Sequence, residues 1–351
     1  MRKLLNKKLI FAIIGLVILS FIINKLVIDM IQRPVRMVET ESLWQDMEIQ
    51  KSELMSNSIT TWDNSNLKIY NLEGELIEEV IGNGYFTNIY YWEDEIGVLD
   101  KQLNVLYIYS STGDLKNKIQ LSGSVYSVFN KDGDIYIHRK DQLNSQRIET
   151  LTKLEGDRRE EPIYETNRFI INFLIEGSTT YISEITTENY AYKSVLSILE
   201  DGETKVFDFG NETVLDMMKV SNRLMVVTNK NLYSISGNER EKIELNNFKD
   251  YEFEKNKVVV LFGNNLVKYN SDLSVDSSFE VGISSSGILK HDGGYFVYGP
   301  TDLVGYVGEN RQFNKSFDSI VNSVSSNGNS ILVTHKYNVE LYTFEKIEEE
   351  N

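Results

Sequence analysis

From Leu67 onward the chain repeats one small pattern: an aliphatic residue, two others, then Tyr or a bulky aliphatic. It starts at Leu67, Leu106, Ile148, Leu196, Leu232, Leu266, Leu303 and Val339, which gives spacings of 39, 42, 48, 36, 34, 37 and 36 residues. Ahead of each copy lies a second apolar run: ITTW (59–62), IGVL (96–99), IYIH (135–138), TYIS (180–183), LMVVT (224–228), VVVLF (258–262), YFVY (295–298) and ILVT (331–334). Four or five residues rich in β-branched and aromatic side chains, bounded by polar ones, read as short strands. Turn signals such as KDGD (131–134), HDGG (291–294) and SNGN (326–329) precede several of these runs, and Asp-Gly and Asn-Gly accept the positive φ of a tight hairpin. A weaker strand follows each core, as in ELIEEV and EKIEL. The unit is four strands, a to d, in about 39 residues.

Regular four-stranded units at a period near 40 predict a β-propeller. One twisted four-stranded sheet leaves both faces open, and a ring gives every sheet two neighbours. Eight cores favour eight blades, with seven as the alternative. The first copy supplies strands b, c and d, with an a-strand near Lys51–Met55; the last supplies a, b and c. MVETESLW (37–44) can pair as the missing outer strand and close the ring, and a helical stalk over 35–54 competes with that reading.

The N-terminus behaves differently. Arg2, Lys3, Lys7 and Lys8 precede an apolar stretch from Leu9 to Ile28, interrupted at Asn24-Lys25. Twenty helical residues span about 30 Å, the thickness of a bilayer core. No small-residue cleavage site follows, so the segment reads as an uncleaved signal anchor. The expected organisation is a cytoplasmic basic flank (1–8), a transmembrane anchor (9–28), a juxtamembrane linker (29–50) that can include the ring-closing strand, an extracytoplasmic propeller (51–346) and an acidic tail (347–351). The chain of 351 residues has a net charge of −16, and seven of its cations against one acid lie in residues 1–36. The remainder holds 29 cations against 51 acids, a charge of −22 that repels polyanions and argues against a nucleic-acid ligand. There is no cysteine, which excludes disulfides, thiol nucleophiles and cysteine-bound metals.

YNLEGEL (70–76) and YSSTGDL (109–115) share Y-x-x-x-G-x-L, and over roughly residues 50–345 the unit resembles the pyrroloquinoline-quinone-like and WD-like bacterial propeller repeats. The resemblance implies a propeller with binding loops at the ends of the ring, and it extends to membrane-attached propellers that scaffold envelope assembly machines. Quinoprotein dehydrogenases depart from it: Trp occurs only at 44, 62 and 92 and Cys not at all, so quinone binding is not carried over.

Candidate chemistry is sparse. His138, His291 and His335 fall in blades 3, 7 and 8, too scattered for one zinc site. No nucleophile elbow, phosphate loop or dinucleotide fingerprint occurs. The sequence assigns no catalytic residue, metal ligand or cofactor. One asymmetry stands out. The b–c gap of about four residues grows to RKDQLNSQR (139–147) in copy 3 and EITTENYAYKS (184–194) in copy 4, next to an expected d–a connection GDRREEPIYETNR (156–168). Arg139, Lys140, Arg147, Arg158, Arg159, Tyr190 and Tyr192 are therefore expected on one face as a partner-binding region, since Arg and Tyr are enriched where proteins dock. The resulting expectation is a non-catalytic, membrane-anchored module binding another envelope or membrane protein. The alternatives are a polysaccharide-acting hydrolase or lyase, or a small-ligand sensor.

Overall fold

A computed structural model describes residues 35–82, 87–131, 133–143, 146–156, 159–188, 190–291 and 293–346. The expected transmembrane segment 9–28, its basic flank and the tail 347–351 lie outside the described residues. Among the described residues no helix is long and apolar enough to cross a membrane. In the described residues thirty-two strands, from β1 (Val35–Trp44) to β32 (Asn338–Lys346), form eight antiparallel four-stranded sheets. Seven sheets run in simple chain order. The eighth has the order β1-β32-β31-β30, with β30 spanning Ser323–Asn327 and β31 Ser330–Thr334.

The first strand of the propeller is thus the outermost strand of its last blade. β1 runs antiparallel to β32 from Val35 opposite Lys346 to Trp44 opposite Asn338, with a bulge between Glu39 and Glu41. The helical stalk over 35–54 is overturned: residues 35–44 are a strand paired antiparallel with β32, and Met37 and Leu43 pack into the apolar seams on either side of blade 8. The inner strand β2 (Lys51–Leu54) touches β30, so blade 1 also meets blade 8 near the axis.

The core explains why eight sheets make a ring. The buried apolar residues fall into eight clusters, and each lies between two successive blades. Between blades 1 and 2, for example, Leu67 and Ile69 of one c-strand meet Ile89, Ile96 and Val98 of the next blade, all nearly or wholly removed from water. Burying such a side chain contributes about 1.5–3 kcal/mol, and closure lets every blade bury both faces.

The repeated motif sets the c–d turn. In blade 1 Gly74 donates its N–H to the Asn71 carbonyl, in blade 2 Gly113 to that of Ser110, and a bulge precedes each turn. Both glycines have positive φ, 81° and 86°. Leu273 holds the same place in blade 6, donating to the Asn270 carbonyl at φ 64°, a left-handed geometry in which a side chain is strained.

Strand direction gives the ring two faces. The b–c turns and d–a connections emerge on one, called here the upper face; the a–b and c–d turns emerge on the other, the lower face. β1 enters at the lower face and leaves at the upper one.

Candidate functional site

Blades 3 and 4 break the repeat. Their b- and c-strands, β11 (Asp134–Leu143) with β12 (Gln146–Glu155) and β15 (Thr179–Glu188) with β16 (Ala191–Glu200), are ten residues each. The b- and c-strands of blades 1, 2, 5, 6 and 7 have four to six. The long segments 139–147 and 184–194 are therefore not loops. They continue the ladder, pairing through Leu143–Gln146 and Glu188–Ala191. Four extra residues per strand project two hairpins roughly 13 Å above the upper face.

The seven residues expected together are divided by the fold. Tyr190 and Tyr192 are at the tip of the blade 4 hairpin, fully and three-quarters exposed. Lys140 and Arg147 are on the blade 3 hairpin, opposite Glu149 and Gln142 respectively in the backbone ladder. Arg139 is buried, so it is no surface contact. Its guanidinium donates to the Ser122 carbonyl at 2.6 Å and Thr152 Oγ1 at 2.8 Å, and pairs with Glu160 at 2.5 Å. The expected d–a connection 156–168 is also corrected. Residues Arg159–Thr166 form β13, the outer strand of blade 3, and Arg159 pairs with Glu155 at the c–d turn. Arg159 thus lies at the lower face, away from the hairpin tips; Arg158 lies outside the described residues.

What the upper face of blades 3 and 4 does assemble is a cation–aromatic cluster, built from residues of three blades. Tyr126 comes from inner strand β10 (Val125–Lys131) and Phe169 from inner strand β14 (Phe169–Glu176); the rings meet edge to face, with centroids 5.5 Å apart. Lys140 Nζ lies 3.3 Å from the Tyr126 centroid and 4.3 Å from that of Phe169. Lys101, from the b–c turn of blade 2, sits 5.3 Å from the Tyr126 ring, and the Arg147 guanidinium 5.1 Å from Phe169. Burial lowers the affinity of both Lys101 and Lys140 for their protons; Glu149 pulls Lys140 back up, while Arg147 and Lys101 push it down.

Beneath the cluster is Glu149, wholly buried on β12. One carboxylate oxygen accepts from His138 Nε2 at 2.6 Å and from the Ile170 N–H at 3.0 Å. The other accepts from Arg147 Nε at 2.6 Å and is also bonded by an outer guanidinium nitrogen. Burial pushes His138 below the usual imidazole range, Glu149 offsets this in part, and Lys140 and Arg147 push the same way as burial. His138 is therefore the neutral donor to Glu149, and the carboxylate binds blade 3 to blade 4 through Ile170. Glu184 makes a second tie, accepting from Ser197 at 2.7 Å, Tyr164 of blade 3 at 3.1 Å and Arg168 at 3.1 Å.

Exposed large aromatics elsewhere follow the same face. Trp44, Tyr126, Tyr190, Tyr192 and Tyr337 are the exposed Tyr and Trp residues among those described, and all five emerge on the upper side. At the ring seam Gln45, next to Trp44, donates its N–H to the Tyr337 carbonyl, and Met47 and Ile320 are exposed in the adjoining d–a connections.

The ring seam also has a polar pocket of about 160 Å³ lined by Glu39, Lys315, His335, Glu340 and Tyr342 among others. Near the axis, Asp250, Glu252 and Glu254 alternate along β22 (Phe248–Glu254). They accept from the Ile288 N–H at 2.9 Å, the Lys290 N–H at 3.4 Å and the Tyr295 hydroxyl. Burial raises Asp250 and Glu252, and raises Glu53 of blade 1 to about 7. The blade 6 carboxylates are committed to bracing blade 7, and Glu53 is three blades away around the ring. Among the described residues no group of His, Asp or Glu side chains is arranged to hold a metal ion.

The fold is a β-propeller shared with solved structures of low sequence identity. Sqt1 from Saccharomyces cerevisiae matches with a TM-score of 0.58 at 9% identity, covering 89% of this chain and all of that one. BamB from Moraxella catarrhalis gives 0.51 at 11% identity over 90% of this chain and all of that one. A quinohemoprotein alcohol dehydrogenase from Comamonas testosteroni gives 0.56 at 9% identity, over 90% and 78%. No protein-family model and no curated protein matches the sequence. At these identities the likeness establishes the architecture alone.

Proposed function

We propose that this chain is a membrane-anchored, non-catalytic propeller that binds another envelope protein through its upper face. The observation that carries the reading is the gathering of Trp44, Tyr126, Tyr190, Tyr192 and Tyr337 on that face of an otherwise acidic domain. Large amphipathic rings supply most of the energy at protein interfaces, and two of these tyrosines stand at the tip of a hairpin lengthened beyond its counterparts. The N-terminal segment favours the same face. β1 starts at the lower face, and residues 29–34 reach at most roughly 20 Å. A bilayer holding residues 9–28 then lies on the lower side, and the tyrosines look away from it.

The test is capture of partners by the full-length chain after crosslinking in intact cells, comparing wild type with Tyr190→Ala/Tyr192→Ala. The paired substitution removes two exposed side chains, so the melt stays unchanged while the captured protein is lost. Undiminished capture refutes the reading.

A further inference from the structure

The cation–aromatic cluster is out of keeping with its surroundings. The part of the chain after Arg36 carries −22, and most of its described lysines near the hairpins are paired: Lys153 with Asp134, and Lys193 with Glu188 and Asp208. Lys101 and Lys140 differ. Among the described residues neither ammonium has a carboxylate within ion-pair distance, although both are half-buried and their protons are loosened by burial. Glu149, opposite Lys140 in the ladder, is already shared among Arg147, His138 and the Ile170 N–H. Two aromatic faces hold the Lys140 ammonium in place. Such cation–π contacts hold the positive charge without neutralising it.

We infer that Lys101, Lys140 and Arg147, with the Tyr126 and Phe169 rings, form a recognition site for an acidic segment of a protein partner, one that places carboxylates over the two lysines and apolar or aromatic side chains on the rings. The inference rests on the reading of the upper face as the binding face and specifies what that face selects. The cluster lies at the base of the blade 3 hairpin with Tyr126 exposed, which suits an extended segment lying along that hairpin. Its positive charge in an acidic domain makes the selection sharp: an acidic segment meets repulsion over most of the propeller and attraction here, which fixes where it docks.

The experiment uses the full chain in detergent and fluorescence anisotropy with two labelled peptides, an eight-residue glutamate peptide ending in Tyr and a lysine counterpart. The glutamate peptide binds, its affinity falls with added salt, and K101Q/K140Q weakens it about tenfold or more, since hydrogen bonds to two charged groups are lost. K140Q gives up the contacts with the Tyr126 and Phe169 rings and K101Q that with Tyr126, so the melt of that variant falls by a few degrees, and binding is compared at about 20 °C, where circular dichroism shows both proteins folded. Equal binding of the glutamate peptide to wild type and variant, or equal binding of both peptides, overturns the inference. Displacement of the glutamate peptide by inorganic phosphate at equal concentration also overturns it, because the site then takes a small free anion. Capture in cells separates the two levels. A partner lost in Tyr190→Ala/Tyr192→Ala but retained in K101Q/K140Q leaves the binding face standing and sinks the acidic-segment site; retention in both sinks the binding face.

Discussion

Replacing Glu149 with alanine removes the acceptor on which the blade 3–4 platform is built. The carboxylate is fully buried and serves His138 Nε2, the Ile170 N–H and Arg147. Arg147 is about half exposed and can turn to water, so its share of the loss is small. His138 is buried and Ile170 almost wholly so, and both N–H groups lose their acceptor. Each orphaned buried donor costs about 1–3 kcal/mol, giving roughly 4 kcal/mol in all. For a domain of this size 1 kcal/mol corresponds to about 2 °C, so E149A lowers Tm by about 8 °C. E149Q keeps the shape and one acceptor oxygen and loses about half as much. E188A breaks an exposed pair with Lys193 and moves Tm by less than about 1 °C. The assay is thermal unfolding of the full chain in detergent, followed by circular dichroism. An E149A melt within about 2 °C of wild type would refute the assignment of Glu149 as the tie between the blades.

Three further outcomes follow from the ring and its seam. Deleting residues 35–45 strips β32 of its partner and opens two apolar seams, and lowers Tm by more than about 10 °C; an unchanged melt contradicts closure by β1. G74A puts a methyl group 2.9 Å from Glu41 Cδ and 3.0 Å from Leu43 Cδ2 at a φ of 81°, and costs at least about 1–2 kcal/mol by denaturant titration; no loss contradicts the turn geometry. Burial alone pushes His335 down, but Glu340 and the Ile320 carbonyl outweigh it and raise it above 6.5. The stabilisation from its charge is therefore complete below pH 6.5 and is lost as pH rises through the higher folded value, so the stability gap between wild type and H335N narrows from pH 6 to pH 9 in urea titrations. A gap independent of pH contradicts the Glu340 pairing.

Much of the ring was legible because its cores repeat. The b- and c-strands carry runs of buried aliphatics in every blade, and spacing alone exposed them. The outer strands were harder, since solvent leaves them no pattern: β5 (Leu76–Ile81) reads LIEEVI with its first four residues all exposed. β13, expected as part of a d–a connection, contains Pro162. An outermost strand tolerates proline, and here it falls beside a bulge, opposite Thr152. The hairpin extensions were misread for want of a Gly turn; Tyr190 itself takes φ 64° at the blade 4 tip. A third copy of the c–d turn escaped the motif because Leu273 occupies the glycine place. The candidate site was legible only in part. Lys140, Arg147, Tyr190 and Tyr192 stood out through the broken spacing, whereas Lys101, Tyr126 and Phe169 come from three separate stretches that only the stacking of blades 2, 3 and 4 brings together, and nothing local marks them. Arg139 looked like its neighbours, but strand alternation turns it inward.

The central claim is that the upper face, and not the lower one, meets a partner. Site-specific photo-crosslinking in intact cells tests it most directly, with the crosslinking residue placed at Tyr190 on the upper face or at Val275, an exposed position beside the lower-face turn of blade 6. The account predicts a discrete crosslinked protein from position 190 and none from position 275. The same product from position 275 with none from 190, or no product from either, contradicts it.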